Sequence, residues 1–523
     1  MSTLRKRRII SLIGALAGLV TIGLAGPQEL SLTLEDCILK ALKNNLNVAA
    51  EALGPEMAGM SITKAAEKFY PVLGLGYSRE NKNSSSFSWI DAAEQITTYY
   101  NDISSQIGLL LPTGTELSAS FFSYKNDTNQ NFQTINPRYG STLRLGFKQP
   151  LLKDFGLNVN RREILVAQNN REISEHQLRT VLVETIYRVE EAYWNLVHSI
   201  EYLKAKQQSL DLARDLLAKN QKEEEIGMIA PIEILSAQAE VATREADILQ
   251  AQATVKNSDD TLRTLMNLEA EKENAEATII PIDKPVSEKK DVSLGGSLAL
   301  ARENRPDLLA DQVDLDTKKI EVSYFRNQLL PSVDLEASYW SPGISGTQIL
   351  YLDDDPLSGV VVGTVPGRAS DAVRDALKFR YRNWSVGLTL TLPLSSLLTK
   401  SDYALAKAGR EQAILRLKNQ EQQVALEVRN AVRAVQTDYE RVQAYRLARE
   451  LAASKLEAEE KKLQVGLSTN YIVLQYQRDL ADSRAAELRV SIDYNLSLAS
   501  LERVQGTTLK SRNIRLEDLT QTR

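Results

Sequence analysis

The residues best equipped for chemistry in this chain are few, and they are badly placed for it. The two histidines, His176 and His198, lie in one predicted helix. Their 22-residue separation (198 − 176) corresponds to roughly 33 Å of helix rise, too far for one local metal site. Cys37 is the single cysteine, so neither a thiolate metal cluster nor an internal disulfide can form, and a small buried hydrophobe is the expected role. The acidic run Glu223-Glu224-Glu225 falls on a charged helix face and needs no catalytic explanation. No glycine-rich loop suited to cradling phosphate appears, so energy for any transport must come from a partner. The reading is a non-enzyme with no catalytic, cofactor-binding or metal-binding residues and no cofactor.

The composition narrows the class further. Charged residues make up 25% of the chain, yet their signs nearly cancel to a net −5, and Lys and Arg are interspersed with Glu and Asp. That pattern and an aromatic content of 6% argue against a nucleic-acid partner. Arg5, Lys6, Arg7 and Arg8 precede an apolar run from Ile9 to about Ala25, the layout of a secretory signal peptide. Cleavage is expected near Ala25 or Gly26, and no lipid-bearing cysteine follows the apolar run. No later stretch is apolar enough for a transmembrane helix, so any membrane-spanning part must consist of strands.

The elements come in a pattern that the chain runs through twice. An opening helix around Ala41–Leu46 leads to Tyr70-Pro71-Val72, and one around Ala301–Leu308 leads to Leu330-Pro331-Ser332-Val333. Proline lacks the helix donor and pushes its predecessor toward extended backbone, so a change from helix to strand is expected at each step. Strands then alternate cleanly. Leu73, Leu75 and Tyr77 share one face, as do Leu143, Leu145 and Phe147, then Leu335, Ala337 and Tyr339, and finally Trp384, Val386, Leu388 and Leu390. One apolar and one polar face suits a barrel between lipid and water, and it equally suits a half-buried soluble sheet.

Long helices follow the strands. From about Arg161 to Ile226, and from about Thr399 to Val465, there is no proline and one glycine, Gly409. Each run would reach roughly 100 Å as a helix. Heptad seams pass through Leu182, Ile186, Val189, Tyr193 and Leu196 in the first, and Val424, Val428, Ala431, Val435 and Val442 in the second, continuing to Tyr445 and beyond. Steps of four and three supercoil left-handedly with neighbours. Gly227 and Gly466 end these helices, and returning helices begin near Pro231 and Asn470. A further seam is expected on the first returning helix, through Ile232, Leu235, Ala239, Ala242, Ala246, Leu249 and Ala253.

Several of these stretches resemble the outer-membrane efflux protein family, the TolC-like channels of tripartite drug pumps and type I secretion systems. The resemblance runs from Leu32 to about Gly506. It rests on Leu32-Thr33-Leu34-Glu35-Asp36, Asn44-Asn45, Tyr70-Pro71, the segment Gln149–Gly156, Ala192-Tyr193-Trp194-Asn195-Leu196, the tip Gly227–Gln238 and Leu262-Arg263-Thr264-Leu265.

The resemblance implies an outer-membrane beta-barrel with a long periplasmic alpha-helical coiled-coil barrel, two tandem repeats per chain and a homotrimer. It implies a passive exit channel in the cell outer membrane, set in outer-membrane lipid. Its partners would be a periplasmic adaptor and an inner-membrane efflux or secretion pump. A periplasmic coiled-coil adaptor or scaffold is the alternative, disfavoured because the hairpin tips close in a few residues.

On this reading residues 1–25 are the signal peptide. The first repeat is 26–270, with strands about 70–149 and a hairpin about 161–268 whose tip is near 227–231. A linker at 271–297 leads to the second repeat, 298–506, with strands about 331–392 and a hairpin about 399–504 whose tip is near 466–470. A tail, 507–523, ends the chain.

Leu143, Leu145, Phe147, Trp384, Val386, Leu388 and Leu390 are expected to face lipid. Gly227, Met228, Ile229, Gly466 and Leu467 form the tips, which either dock the adaptor or pack one hairpin on its neighbour. Glu233 and Gln475 are expected at the tunnel mouth. Two departures from the best-known member stand out. Ile472 and Gln475 occupy positions where that protein carries aspartates. An additional hairpin signal, Ile107–Leu111 into Pro112-Thr113-Gly114 and then Glu116–Tyr124, separates the first strand from Gln149. The usual count is four strands per chain and twelve per trimer, and twelve is favoured; the extra pair would make eighteen unless it lies on a surface.

Overall fold

The structure is a computed structural model, and it describes residues 29–86, 94–228, 230–270, 277–465 and 467–514. The signal-peptide segment, Ile229, Gly466 and most of the C-terminal tail lie outside the described residues.

The elements in chain order are β1 (Glu29–Leu32), α1 (Leu34–Asn44), α2 (Leu46–Glu51), α3 (Leu53–Ala66), β2 (Val72–Ser85), β3 (Gln95–Leu110), β4 (Glu116–Thr128) and β5 (Ile135–Pro150). Next come α4 (Leu157–Asn160), α5 (Arg162–Glu225), α6 (Pro231–Met266), β6 (Thr278–Pro281), α7 (Leu294–Asn304) and α8 (Pro306–Gln328). The remainder is β7 (Ser332–Tyr351), β8 (Val361–Val365), α9 (Ala369–Leu377), β9 (Asn383–Thr391), α10 (Leu397–Gln464) and α11 (Asn470–Gln505). The long helices α5 and α10 have 64 and 68 residues, within two residues of their expected bounds.

The chain divides into two compact units. One comprises the described parts of Met1–Asn45, Arg188–Val286 and Val442–Ile492. Its core includes Cys37, Ala41, Val189, Tyr193, Leu196, Leu262, Met266 and Ile279, all at most 1% exposed. Thr33 caps α1 by a reciprocal capping box with Asp36. The Asn44-Asn45 pair has a structural use. Asn45 Nδ2 donates to the Leu265 carbonyl at 2.9 Å, and Asn267 Nδ2 donates to the Asn44 carbonyl at 3.1 Å. Asn267 itself adopts φ +50°, the left-handed conformation that ends α6. The pairing of β1 with β6, parallel and four residues long, was not expected from sequence.

In this unit the α6 seam differs from the expectation. The buried stripe is Ala237, Arg244 and Ala251, spaced by seven. Arg244 donates to the Ser209 carbonyl and hydroxyl on α5 and pairs with Glu240, so all three nitrogens of its buried guanidinium have partners. Ile232, Leu235, Ala239, Ala242, Ala246, Leu249 and Ala253, the expected seam, are exposed. Tyr445 is likewise exposed in α10.

The other unit comprises the described parts of Leu46–Tyr187, Ser287–Arg441 and Asp493–Arg523. It holds a seven-stranded sheet in the order β2-β3-β4-β5-β7-β8, with β9 also pairing β7, and all named pairings are antiparallel. The expected additional hairpin is real and lies within the sheet: β3 and β4 stand between β2 and β5. The favoured count of four strands per chain therefore gives way to six long strands plus the short β8. Below the sheet, Leu182, Ile186, Val424, Val428 and Val435 are buried as the seams require. Arg305 forms a two-bond fork on Asp307 at 2.9 and 2.7 Å, and Gln420 adds a third bond to that carboxylate at 2.7 Å. Burial raises the Asp307 pKa, but the Arg305 contact outweighs it and leaves the group below the usual carboxylate range.

Candidate channel wall and helix tips

The wall is built from cross-strand rows. One row runs Leu73, Ile107, Ala119, Leu145, Tyr339 and Trp384 across β2, β3, β4, β5, β7 and β9. Directly opposed residues in antiparallel strands point to the same face, so this entire row is apolar on one side. The neighbouring row is Gly74, Gln106, Ser120, Arg144, Trp340 and Asn383, on the other side. A period of two sorts these rows onto opposite faces across all six strands, and toward the far end of the sheet the second face also carries Tyr100, Phe122 and Tyr124.

Leu143, Phe147, Val386, Leu388 and Leu390 share the apolar face with Leu145 and Trp384 by the same register. Trp384, Val386, Leu388 and Leu390 are between 57% and 73% exposed, an unusual state for large apolar side chains in water. The polar face carries Lys148, within 3.9 Å of Asp334 and Glu336, and Arg144 above the Trp340 ring at 5.1 Å.

Both edges of this sheet are open in the chain by itself. β2 pairs only with β3, and β9 only with β7. All fourteen residues of β2 are exposed, which leaves a long unpaired row of backbone donors and acceptors. At 13 to 20 residues, β2, β3, β4, β5 and β7 are each long enough to cross a bilayer. No helix among the described residues is long and apolar enough to do so.

The turn between β3 and β4 is set by Gly114. Its φ is +92°, and a Cβ there would run into the Asp154 carbonyl, so glycine is required on both counts.

The tips are built from helix-ending geometry. Gly227 has φ +73°; its N–H donates to the Glu224 carbonyl, and the Met228 N–H donates to the Glu223 carbonyl, both at 2.8 Å. These bonds satisfy the last carbonyls of α5 and turn the chain toward α6, where Pro231 occupies the first turn. At the second tip the Leu467 N–H reaches back to the Lys462 carbonyl at 2.9 Å, the same six-residue closure. Ser468 and Lys462 both donate to Glu459, at 2.7 and 2.9 Å, and in that order hold its carboxyl below the usual range.

Met228 and Leu467 are 71% and 78% exposed, and Ile226, Ile232, Val465 and Tyr471 join them as exposed apolar residues. Glu233 falls in the first turn of α6, and Gln475 is exposed on α11.

The residues with chemical potential take structural places. Cys37 is fully buried, and burial pushes its thiol up to about 12. His176 is buried in α5, and burial first, then Arg179, holds it below the ordinary imidazole range. His198 stacks on Tyr202 at 6.0 Å. Among the described residues no group of three His, Cys, Asp or Glu side chains is arranged to hold a metal.

The sequence profile of the outer membrane efflux protein family matches residues 37–268 and 298–507. The chain belongs to that family. It is similar to the outer membrane protein TolC of Vibrio cholerae serotype O1, 22% identical over 435 residues that cover 79% of this chain and 91% of that one. Solved structures share the fold. The outer-membrane channel OprN superposes with a TM-score of 0.62 at 18% identity, over 90% of this chain and 89% of that chain. The Campylobacter jejuni CmeC outer membrane channel gives 0.62 at 16% identity, over 93% and 90%.

This member of the outer membrane efflux family is therefore a channel and not an enzyme, located in the outer membrane with a periplasmic helical extension. The two apolar-polar rows and the exposed tips are its candidate functional surfaces. Sequence alternation revealed the first. The β8–α9 segment, which packs on the sheet, carried no signal strong enough to be placed.

Proposed function

We propose that this chain forms a homotrimeric exit duct of a tripartite export system, in which three sheets close one barrel of eighteen strands. The observation that carries the reading is the six-strand row pattern between two open edges. Pairing the β2 edge of one copy with the β9 edge of the next removes every exposed ladder group from lipid, as a membrane barrel must. The apolar face then meets lipid, with Leu143, Leu145, Phe147, Trp384, Val386, Leu388 and Leu390 in it, and the polar face lines the lumen. Leu34–Met266 and Leu294–Gln505 each run from opening helices through sheet strands to a long helical hairpin, in keeping with two tandem repeats.

The exposed α6 stripe from Ile232 to Ala253 suits packing on a neighbouring copy, so the helices would close a periplasmic coiled-coil barrel. The tips at Gly227, Met228, Ile229, Gly466 and Leu467 would meet an adaptor joined to an inner-membrane pump, with Glu233 and Gln475 near the mouth. An N-terminal signal peptide would direct the chain out of the cytoplasm.

The strand number sets the aperture. With strands about 4.8 Å apart and tilted by about 40°, twelve strands give a backbone diameter of roughly 24 Å and eighteen roughly 36 Å. The barrel cross-section would more than double. Native mass measurement of the purified channel should give three chains, and paired cysteines introduced on the β2 and β9 edges should cross-link neighbouring copies. A monomer without channel activity would overturn the reading, and a trimer in which no β2–β9 pair cross-links would overturn the eighteen-strand closure.

A further inference from the structure

We infer that the α9–β9 corner is a docking surface for the phosphorylated head groups of outer-leaflet glycolipid. The inference rests on the proposed lipid-facing role of the apolar sheet face. α9 sits on that same face: the Ser341 hydroxyl donates to the Asp375 carbonyl, Tyr339 stacks on Phe379 at 5.2 Å, and Ala372 and Ala376 are fully buried. Gly343 makes this possible, because a Cβ there would collide with the Ala372 carbonyl. Position along the sheet follows from the register. Asn383, the first residue of β9, pairs with Trp340, eight steps from Ser332 at the helix-proximal end of β7 (340 − 332). Eight residues at about 3.4 Å and a tilt of about 40° give roughly 20 Å of height, near the far boundary of an apolar band about 25 Å tall.

At that boundary the chemistry changes abruptly. Tyr381 and Trp384 are 51% and 73% exposed, as aromatic residues of an interfacial girdle are. Between Arg368 and Arg382 the chain places five cations (Arg368, Arg374, Lys378, Arg380 and Arg382) against two carboxylates (Asp371 and Asp375), a surplus of three in a chain of net −5. Arg374 and Arg380 are paired with Asp371 and Asp375. Lys378 and Arg382 are exposed, and no ion pair is found for either among the described residues. Unpaired cations just beyond an apolar band and its aromatics fit a layer of phosphate. A lumen-facing role is disfavoured, because α9 covers the face opposite Arg144 and Lys148.

The test uses the full-length purified channel with diphosphorylated lipid A as the probe, compared with its fully dephosphorylated form. Retention of lipid is read by native mass spectrometry at increasing salt. Wild-type channel should retain the diphosphorylated probe in preference, and K378Q/R382Q should lose about tenfold in retention. K418Q, an exposed cation on α10 outside the sheet, should behave as wild type. Equal retention by wild type and the double variant overturns the inference, as does displacement of the probe by millimolar inorganic phosphate. Bilayer insertion and conductance are measured on the same samples. A channel that inserts and conducts without phosphate preference refutes this inference alone, whereas failure to insert refutes the barrel reading beneath it.

Discussion

The Tyr193 hydroxyl and Asp283 are joined twice: the hydroxyl lies 2.9 Å from Asp283 Oδ2 and accepts the Asp283 N–H at 3.1 Å. The same Oδ2 accepts the Leu34 N–H at 2.6 Å, at the start of α1. One fully buried phenol on α5 thus fixes the segment after β6 and the beginning of the opening helix. Tyr193→Phe keeps the ring packing, takes the hydroxyl acceptor from the Asp283 N–H and leaves Oδ2 with the Leu34 bond. It should cost about 1–3 kcal/mol, read as a lower denaturant midpoint of the refolded channel. A midpoint equal to wild type would remove the bond from the account of stability.

Alkaline stability has a definite sign in this unit. Burial raises the Tyr193 phenol above its ordinary range and raises the Cys37 thiol to about 12. Groups with raised folded pKa values stabilise fully below their unfolded values and lose that contribution as pH rises. Stability should therefore fall from about pH 9 upward, as the unfolded thiol begins to ionise first. Cys37→Ala should flatten the lower part of this decline in pH-dependent unfolding curves. At pH 8 a thiol reagent should leave native Cys37 unmodified and label it completely after denaturation; rapid labelling of the folded channel would contradict its burial.

Much of this architecture was legible because long regular elements leave strong periods. The absence of proline bounded α5 and α10 closely, and alternation sorted the strand faces correctly at Leu145, Tyr339 and Trp384. Other features were hidden for physical reasons. On α6 hydrophobicity favours the stripe with Ile232, Leu235 and Leu249, which is exposed in the chain by itself, over the buried stripe of Ala237 and Ala251. The buried member between Ala237 and Ala251 is Arg244, a charge that periodicity counts as surface. Pairing of β1 with β6 joins residues about 250 apart, which no local pattern encodes. Strand count turned on whether β3 and β4 enter the sheet, and only long-range register decides that.

Substitutions on β9 test the wall. Leu388 pairs with Leu335 on the apolar face, whereas Thr389 pairs with Asp334 on the polar face. Leu388→Arg near the midplane should cost about 2–4 kcal/mol of folding stability in bilayers, and Thr389→Arg much less. Comparable losses at both positions would sink the lipid assignment.

Orientation can be tested at the additional hairpin. Gly114 is a poor site for a probe, because its left-handed backbone and close approach to Asp154 would strain any side chain. Thr113 beside it is exposed. A cysteine at Thr113, in a Cys37→Ala background, should react only with reagents that reach the periplasm. One at Asn83, at the other end of β2, should react from outside the cell. Labelling of Thr113→Cys from the outside would invert the topology.

The tips carry the last prediction. Leu467 is 78% exposed, follows a helix of 68 residues and donates its N–H to the Lys462 carbonyl. Its side chain makes no part of that closure, so Leu467→Asp should leave the turn intact. If the tip docks an adaptor through apolar contact, the variant should lose export in cells with the matched pump while trimer level stays normal. Gly227 acts differently. With φ +73° and open space around its missing Cβ, Gly227→Ala meets no clash and suffers only the backbone penalty of about 1 kcal/mol. It should slightly destabilise the hairpin and leave export nearly unchanged. Charge is the third variable, because Gln475 is exposed and neutral. Gln475→Asp should raise cation preference in planar-bilayer recordings if it lines the mouth, and an aspartate at exposed Gln422 on α10 should not. Full export by Leu467→Asp at normal protein level would reduce the tip to a structural turn. Loss of export together with loss of trimer would instead assign Leu467 to packing between hairpins.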